Sequence, residues 1–211
     1  YRVFSTTAVN GETEKRYEHA SGDTWMESDA RAVNRWFRDI VGDLNAGESD
    51  GSQLRRVVKL TKKQSRSRMA WKSDTCSGIC ISKLVVDCFE PSAGRDDDSL
   101  RKTWTRIHAR LVLSTQIDHP VLRGQRLASS GDSEVSYFDE RLGEALESLR
   151  VLDEEGCTRS AALAAWDEVF NTSYFTEKDS TLRSAKVGLG TPIFKTSNEV
   201  AYRDDDGGRF G

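Results

Sequence analysis

Residues 55–85, RRVVKLTKKQSRSRMAWKSDTCSGICISKLV, change character halfway along, and the rest of the chain can be interpreted outward from them. The first half is basic, with no acidic residue between Gly51 and Ser73 in a chain of formal net charge -3. The second half is small and apolar, and Ser77 and Gly78 mark the change. This pattern predicts a basic surface helix followed by a buried helix.

The basic helix is predicted to begin near Gln53. Four basic residues fall at i, i+4, i+7 and i+11, so they form one stripe: Arg55, Lys59, Lys62 and Arg66. Three meanings are open for this basic stripe, namely a solvated helix face, a nucleic-acid patch or a grip for a small polyphosphate. Only Trp71 interleaves with the charges and the chain is acidic overall, so no extended nucleic-acid partner is expected.

The start of the second helix suits an anion. Ser77 stands where the buried helix begins, so its hydroxyl and the unpaired backbone N–H groups of the first turn can face a phosphate. Gly78 lets the backbone come close to such a ligand. A lysine of the basic helix and this serine would then hold one triphosphate between them.

The remaining pattern predicts a mainly α protein. Only three prolines interrupt 211 residues, and apolar residues recur at helical spacing in several segments. Further helices are predicted over residues 28–44 (capped by Ser28 or Asp29), 77–89, 99–111 (capped by Ser99), 135–152 and 158–170. Residues 1–8 alternate like a strand, whereas residues 45–52, 92–99 and 114–133 have turn or loop composition.

Composition indicates a globular cytoplasmic protein without a membrane partner. Hydrophobic residues make up 36% and charged residues 31%, and no apolar run approaches the ~20 residues of a membrane helix. No leader pattern is apparent either. The four cysteines are interpreted as free thiols. Zinc binding by Cys76, Cys80 and Cys88 is the alternative, but their spacing lacks a C-x-x-C pair.

No catalytic set is recognisable in the chain. The three histidines are far apart, and neither a G-x-S-x-G elbow nor a Walker loop is present. His108 is interpreted as a packed histidine. The run Asp96-Asp97-Asp98 is interpreted as a solvated turn rather than a metal site.

Four segments in this order resemble the C-terminal half of bacterial cGAS/DncV-like nucleotidyltransferases, which make cyclic di- and trinucleotide signals in anti-phage defence. They are DTWMESDARAVNRWF (23–37), LRRVVKLTKK (54–63), CSGICISKLVV (76–86) and HPVLRGQRL (119–127). The resemblance implies the helical lobe of a polymerase-β-like nucleotidyltransferase, which is α+β when complete. Residues 1–27 would end its core as a strand remnant and loop, 28–193 would form the helical lobe, and 194–211 a flexible tail.

The resemblance also implies where the metal chemistry belongs. The family holds Mg²⁺ on a Gly-Ser loop, an Asp-x-Asp pair and a third Asp on a strand. YRVF at residues 1–4 resembles the stretch just after that third Asp, so the ligands are expected upstream and none within the chain. The complete protein would be a cyclic oligonucleotide synthase, and this chain alone is expected to be inactive.

Two positions match the family's contacts to the triphosphate of the NTP substrates, namely Lys62 and Ser77. The segment 119–127 corresponds to a loop that faces a nucleotide, without an assignable residue. Some relatives end in a tail whose terminal glycine is handled by an E1/E2-like partner, and Gly211 after GGRF is the matching position. A plain solvated tail is the alternative for Gly211. For the whole chain, the alternative is a non-enzymatic helical adaptor that binds a protein or RNA through its basic stripe.

Overall fold

The computed structural model describes residues 2–7, 13–21, 24–27, 30–46 and 51–187. The described part is mainly helical, as predicted. The strands are β1 Arg2–Thr7, β2 Thr13–Ser21, β3 Thr24–Glu27, β4 Ile117–Asp118 and β5 Arg126–Ala128. The α-helices are α1 Ala30–Ala46, α2 Gly51–Ser65, α3 Gly78–Cys88, α4 Asp96–Leu113, α5 Ser133–Ser148, α6 Arg159–Phe170 and α7 Tyr174–Val187. Two 3-10 helices, Met69–Trp71 and Leu149–Asp153, precede α3 and follow α5.

The N-terminal strands form an antiparallel sheet in the order β1-β2-β3. In its register Arg2 pairs with Glu18, and Glu18 pairs with Glu27. The sequence predicted only the first of these strands. TEKRYEHAS, which forms β2, alternates among polar and charged residues and so carries no apolar face that periodicity could detect.

The hydrophobic core surrounds α2, which contacts α1, α3, α4, α5 and α6. An aromatic cluster from α4, α6 and α7 is part of this core. The Trp104 ring centroid lies 6.4 Å from that of Trp166 and 6.3 Å from that of Phe170, and Phe175 of α7 lies 6.1 Å from Phe170. Burying side chains of this size stabilises a fold by roughly 1.5–3 kcal/mol each.

The prediction of a loop over residues 92–99 is wrong for its second half, which is helical. Asp96, Asp97 and Asp98 form the first turn of α4, where carboxylates interact favourably with the positive end of the helix. The predicted cap Ser99 lies inside the helix and is fully buried. Its hydroxyl instead donates a hydrogen bond of 2.7 Å to the Glu90 carbonyl.

Two other predicted loops contain regular structure. α1 runs to Ala46 and α2 already begins at Gly51, whose N–H donates to the Asn45 side chain at 2.9 Å. The connection 114–133 carries the small antiparallel pair β4-β5, which contacts α3.

The helix α7 was not predicted, and tertiary contacts explain it. Asn171 ends α6 in the left-handed conformation with φ 49°. The carboxylate of Asp167 then accepts hydrogen bonds from the N–H groups of Phe175 and Thr176, at 2.8 and 2.9 Å. Asp167 therefore satisfies the first turn of α7 from another helix.

Within the described ranges, no helix combines the length and the apolar character that crossing a membrane requires.

Candidate functional site

Ser77 caps the N-terminus of α3. Its extended backbone (φ -61°, ψ 156°) precedes the first helical residue, and its Oγ accepts a hydrogen bond of 3.3 Å from the Cys80 N–H. The side chain is exposed. The first backbone N–H groups of α3 have no carbonyl within the helix to bond, so they carry partial positive charge toward solvent.

The structure brings Lys62 to this same helix end. A Cβ added to Gly78 would lie 3.7 Å from both Cε and Nζ of Lys62. The Lys62 side chain therefore reaches from α2 to Gly78, the first residue of α3, which follows Ser77 in the chain. We find no hydrogen-bond or ion-pair partner for this ammonium among the side chains that the structure describes.

The electrostatics of Lys62 favour an added anion. Partial burial and, to a lesser extent, the charge of Arg66 lower the pKa of Lys62 below its ordinary value. A negative ligand at the α3 N-terminus would offset both effects, because it would interact with Lys62, Arg66 and the helix dipole together.

The residues of the basic stripe differ in their surroundings. Arg55, Lys59 and Arg66 are exposed, and the Arg55 guanidinium lies over the Phe37 ring at 5.8 Å. Lys62 is distinguished from its neighbours Lys59 and Lys63 because it is partly buried and lies against α3.

The loop 66–77, which joins Lys62's helix to Ser77, is anchored to α6. Arg68 donates to the Glu168 carbonyl at 3.1 Å, and the Asn171 side chain donates to the Ser67 carbonyl at 3.2 Å. Trp71 is 8% exposed, with the Arg68 guanidinium 4.4 Å from its ring centroid. The spacing between Lys62 and Ser77 is therefore supported by tertiary contacts.

The segment 119–127 uses its histidine to hold its own turn. His119 Nδ1 accepts hydrogen bonds from the N–H groups of Val121 and Leu122, at 3.2 and 3.0 Å. Burial lowers the pKa of His119, which favours the neutral ring that this acceptor role requires. The strands that flank the segment, β4 and β5, contact α3.

The other residues considered from the sequence lie elsewhere. His108 Nδ1 lies 2.8 Å from Asp139 Oδ1 and its ring lies beside Gly143, but 40% of its side chain is exposed, so this histidine is only partly packed. All four cysteines are free, and the hydrogen bond with Cys80, together with burial, raises the pKa of Cys76. In the part of the chain that is described, no three His, Cys, Asp or Glu residues are grouped for metal binding. Gly211 and the predicted tail 194–211 lie outside the described residues.

Sequence comparison finds neither a matching family model nor a matching curated protein. Structural comparison does give a result, and the mainly helical fold that it shows agrees with the helical lobe expected from the sequence resemblance. One solved structure that the chain matches is Vibrio cholerae DncV cyclic AMP-GMP synthase, in complex with the linear intermediate 5' pppA(3',5')pG. The TM-score is 0.58 at 19% sequence identity, over 75% of this chain. The likeness shows the fold, and the chain spans 41% of the length of that synthase.

Proposed function

We propose that this chain is the C-terminal helical part of a cyclic oligonucleotide synthase, which joins NTPs into a cyclic di- or trinucleotide. The complete protein would be cytoplasmic and would act in anti-phage defence. The observation that carries the proposal is the convergence of Lys62 with the α3 N-terminus, 3.7 Å from the position of a Gly78 Cβ. The fold shared with a cyclic AMP-GMP synthase supports it.

The role proposed for Lys62 and Ser77 is to hold a triphosphate. The Lys62 ammonium would pair with phosphate oxygens, while the Ser77 hydroxyl and the free N–H groups of α3 would donate hydrogen bonds to them. Phosphoryl transfer depends mostly on positioning and charge stabilisation, so fixing the triphosphate orients its α-phosphorus for in-line attack by a hydroxyl. The loop 66–77, held by its contacts with α6 and Asn171, would keep Lys62 and Ser77 at a fixed distance from each other.

The Mg²⁺ that such chemistry uses does not fit the described residues, which offer no grouped ligands. The proposal places the metal ligands in a nucleotidyltransferase core outside this chain, so the chain alone is expected to be inactive.

The test uses the full-length protein with radiolabelled NTPs and identifies the products by chromatography. Lys62→Ala should weaken NTP binding and lower the initial rate at least tenfold, about 1.4 kcal/mol. Lys63→Ala is the matched control, because Lys63 is the exposed neighbour on the same helix. Unchanged NTP affinity in Lys62→Ala would remove the phosphate role, and absence of any cyclic product would remove the enzymatic proposal.

The adaptor remains the second candidate, because Arg55 and Lys59 of the basic stripe are exposed. A protein or RNA partner would bind these two residues more than Lys62, which is partly buried. Co-purification of one partner that is lost with Arg55→Glu and Lys59→Glu, but retained with Lys62→Ala, would favour the adaptor.

We also propose that the carboxylate of Gly211 is conjugated by an E1/E2-like partner. ATP would convert it to an acyl adenylate with release of pyrophosphate, and a cysteine thiol would displace AMP to give a thioester. A glycine suits a narrow active site because no side chain can clash. The unaltered protein should form a covalent adduct with the partner in the presence of ATP, and deleting Gly211 should abolish it. An adduct that persists after the deletion contradicts the proposal.

A further inference from the structure

An apolar groove opens next to the aromatic cluster of the core. It has a volume of about 520 Å³ and lies between α2, α4, the 3-10 helix Leu149–Asp153, α6 and α7. Its large apolar lining residues are Leu60, Leu152, Leu163, Trp166, Phe170 and Phe175. All of these except Phe170 are only half-buried. Covering this apolar surface would therefore be favourable.

The charged residues that line the groove already have partners. The ion pairs, with N–O distances of 2.5–2.7 Å, are Arg56–Asp96, Arg95–Asp97, Arg101–Asp153 and Arg159–Asp179. An occupant of the groove therefore needs no charge of its own, and a charged occupant would compete with these pairs. The groove suits an uncharged, apolar occupant.

The chain that follows α7 supplies a segment of this kind. Residues 188–194 read GLGTPIF and carry no charged side chain. Four of these seven residues are apolar, namely Leu189, Pro192, Ile193 and Phe194. Residues 195–211 differ, because they are mostly charged, polar or glycine. The apolar side chains that would gain from burial are thus concentrated just after α7.

The start of this segment is within reach of the groove. α7 packs on α6, and Asp179 of α7 pairs with Arg159, which lines the groove. Asp179 precedes Val187, the last residue of α7, by eight positions, which is about 12 Å of helix. Four extended residues span about 13 Å. A chain that reverses at Gly188 therefore brings residues 192–194 back to the level of Arg159.

We propose that residues 189–194 of this chain dock in the groove, with Ile193 and Phe194 as the main apolar contacts. The docked segment covers the half-buried side chains and leaves the ion pairs around the groove intact. It also fixes the point from which residues 195–211 extend, on the side of the fold formed by α6 and α7. The inference does not depend on the proposed nucleotide function.

Photo-cross-linking in the full chain tests the docking. With p-benzoylphenylalanine in place of Phe194, irradiation should link this position to residues of the groove, which mass spectrometry identifies. The same replacement at Phe210 is the matched control, and it should give about tenfold less cross-link to the groove.

Mixing ¹⁵N-labelled and unlabelled chains shows whether the two linked residues belong to one chain. Cross-links that form only between chains would identify a second copy as the occupant. Cross-links only outside the groove, or none, would leave the groove to another molecule. Either result overturns the inference.

Two variants locate the contact. Leu163→Glu places a charge in the groove and should reduce the cross-link from position 194 by about tenfold. Leu113→Glu is the control, because Leu113 is 86% exposed and does not line the groove, and it should leave the cross-link unchanged. If Leu163→Glu does not fold, Ile193→Asp decides. It should reduce the cross-link equally and lower the Tm by about 2–4 °C, and an unchanged cross-link overturns the inference.

Discussion

The indole Nε1–H of Trp104 donates a hydrogen bond of 2.9 Å to Oγ1 of Thr61, and both residues are fully buried. The Thr61 hydroxyl in turn donates to the Val57 carbonyl at 2.8 Å. One side-chain hydroxyl thus joins α4 to α2 at the residue preceding Lys62. The core and the candidate phosphate site consequently share this contact.

Thr61→Val should destabilise the chain by about 1–3 kcal/mol, because a buried indole N–H loses its acceptor while the side-chain shape is kept. Urea unfolding followed by circular dichroism measures the change. In a Trp104→Phe background no indole N–H is present, so the same substitution should then cost clearly less. Equal costs in the two backgrounds would show that the hydrogen bond contributes nothing.

Ser77→Ala should lose both the cap of α3 and the phosphate contact. Loss of a serine cap typically destabilises by about 0.5–2 kcal/mol, and the 3.3 Å hydrogen bond here points to the lower end. Ser77→Asp separates the two roles, because aspartate is a good cap but repels phosphate. It should stay within about 0.5 kcal/mol of wild-type stability, yet bind ATP as poorly as Ser77→Ala in the full-length protein. Wild-type ATP affinity in Ser77→Asp would contradict the phosphate role.

Lys62→Met should stabilise the free chain while it weakens NTP binding. Burial and Arg66 lower the pKa of Lys62, so the folded state disfavours its charged form. That destabilisation is fully present below the folded pKa and disappears as the pH rises through the ordinary lysine range. The gain at pH 7 should be at most about 1 kcal/mol, and it should shrink toward pH 11. Lys63→Met should change stability little, and a loss of stability in Lys62→Met would contradict the electrostatic argument.

Asp167→Asn should release the first turn of α7 in a pH-dependent manner. Burial raises the pKa of Asp167, but hydrogen bonds from the Thr176 hydroxyl and from the N–H groups of Phe175 and Thr176 outweigh burial and lower it. The stabilisation is present above the ordinary pKa of about 4 and is lost as the pH falls through the lower folded value. At pH 7 the free energy of unfolding of the wild type should exceed that of the variant by about 0.5–2 kcal/mol, and this difference should shrink toward pH 3. Urea unfolding at several pH values measures it. A gap independent of pH would show that the charge is not involved.

Sequence patterns predicted the helices that have a clear apolar period. The buried helix expected from Ser77 is α3 with Ser77 as its cap, and the helix expected over 135–152 is α5 with its following 3-10 turn. α7 escaped prediction because its first turn is satisfied by Asp167 from another helix, which local patterns do not reveal. The proposed boundaries at residues 27 and 193 stay predictions.

Part of the candidate phosphate site could be predicted from one short segment. Helix periodicity and capping preference predicted a basic helix followed by a helix that begins at Ser77, whereas Lys62 was chosen among the lysines by the family resemblance. The contact between Gln64 and Arg141 could not be predicted in this way. Gln64 and Arg141 are separated by 77 positions, and only the packing of α2 against α5 joins them.

Asn171 performs two tasks that no other amino acid combines equally well. Its backbone tolerates the left-handed turn that ends α6, while its amide N–H reaches back to the Ser67 carbonyl. Glycine would keep the turn and lose the tether, and aspartate would keep the turn but offer an acceptor where a donor is needed. We therefore expect relatives that keep the loop 66–77 to retain asparagine at this position. In relatives that replace it, the position of this loop should vary independently of the turn between α6 and α7.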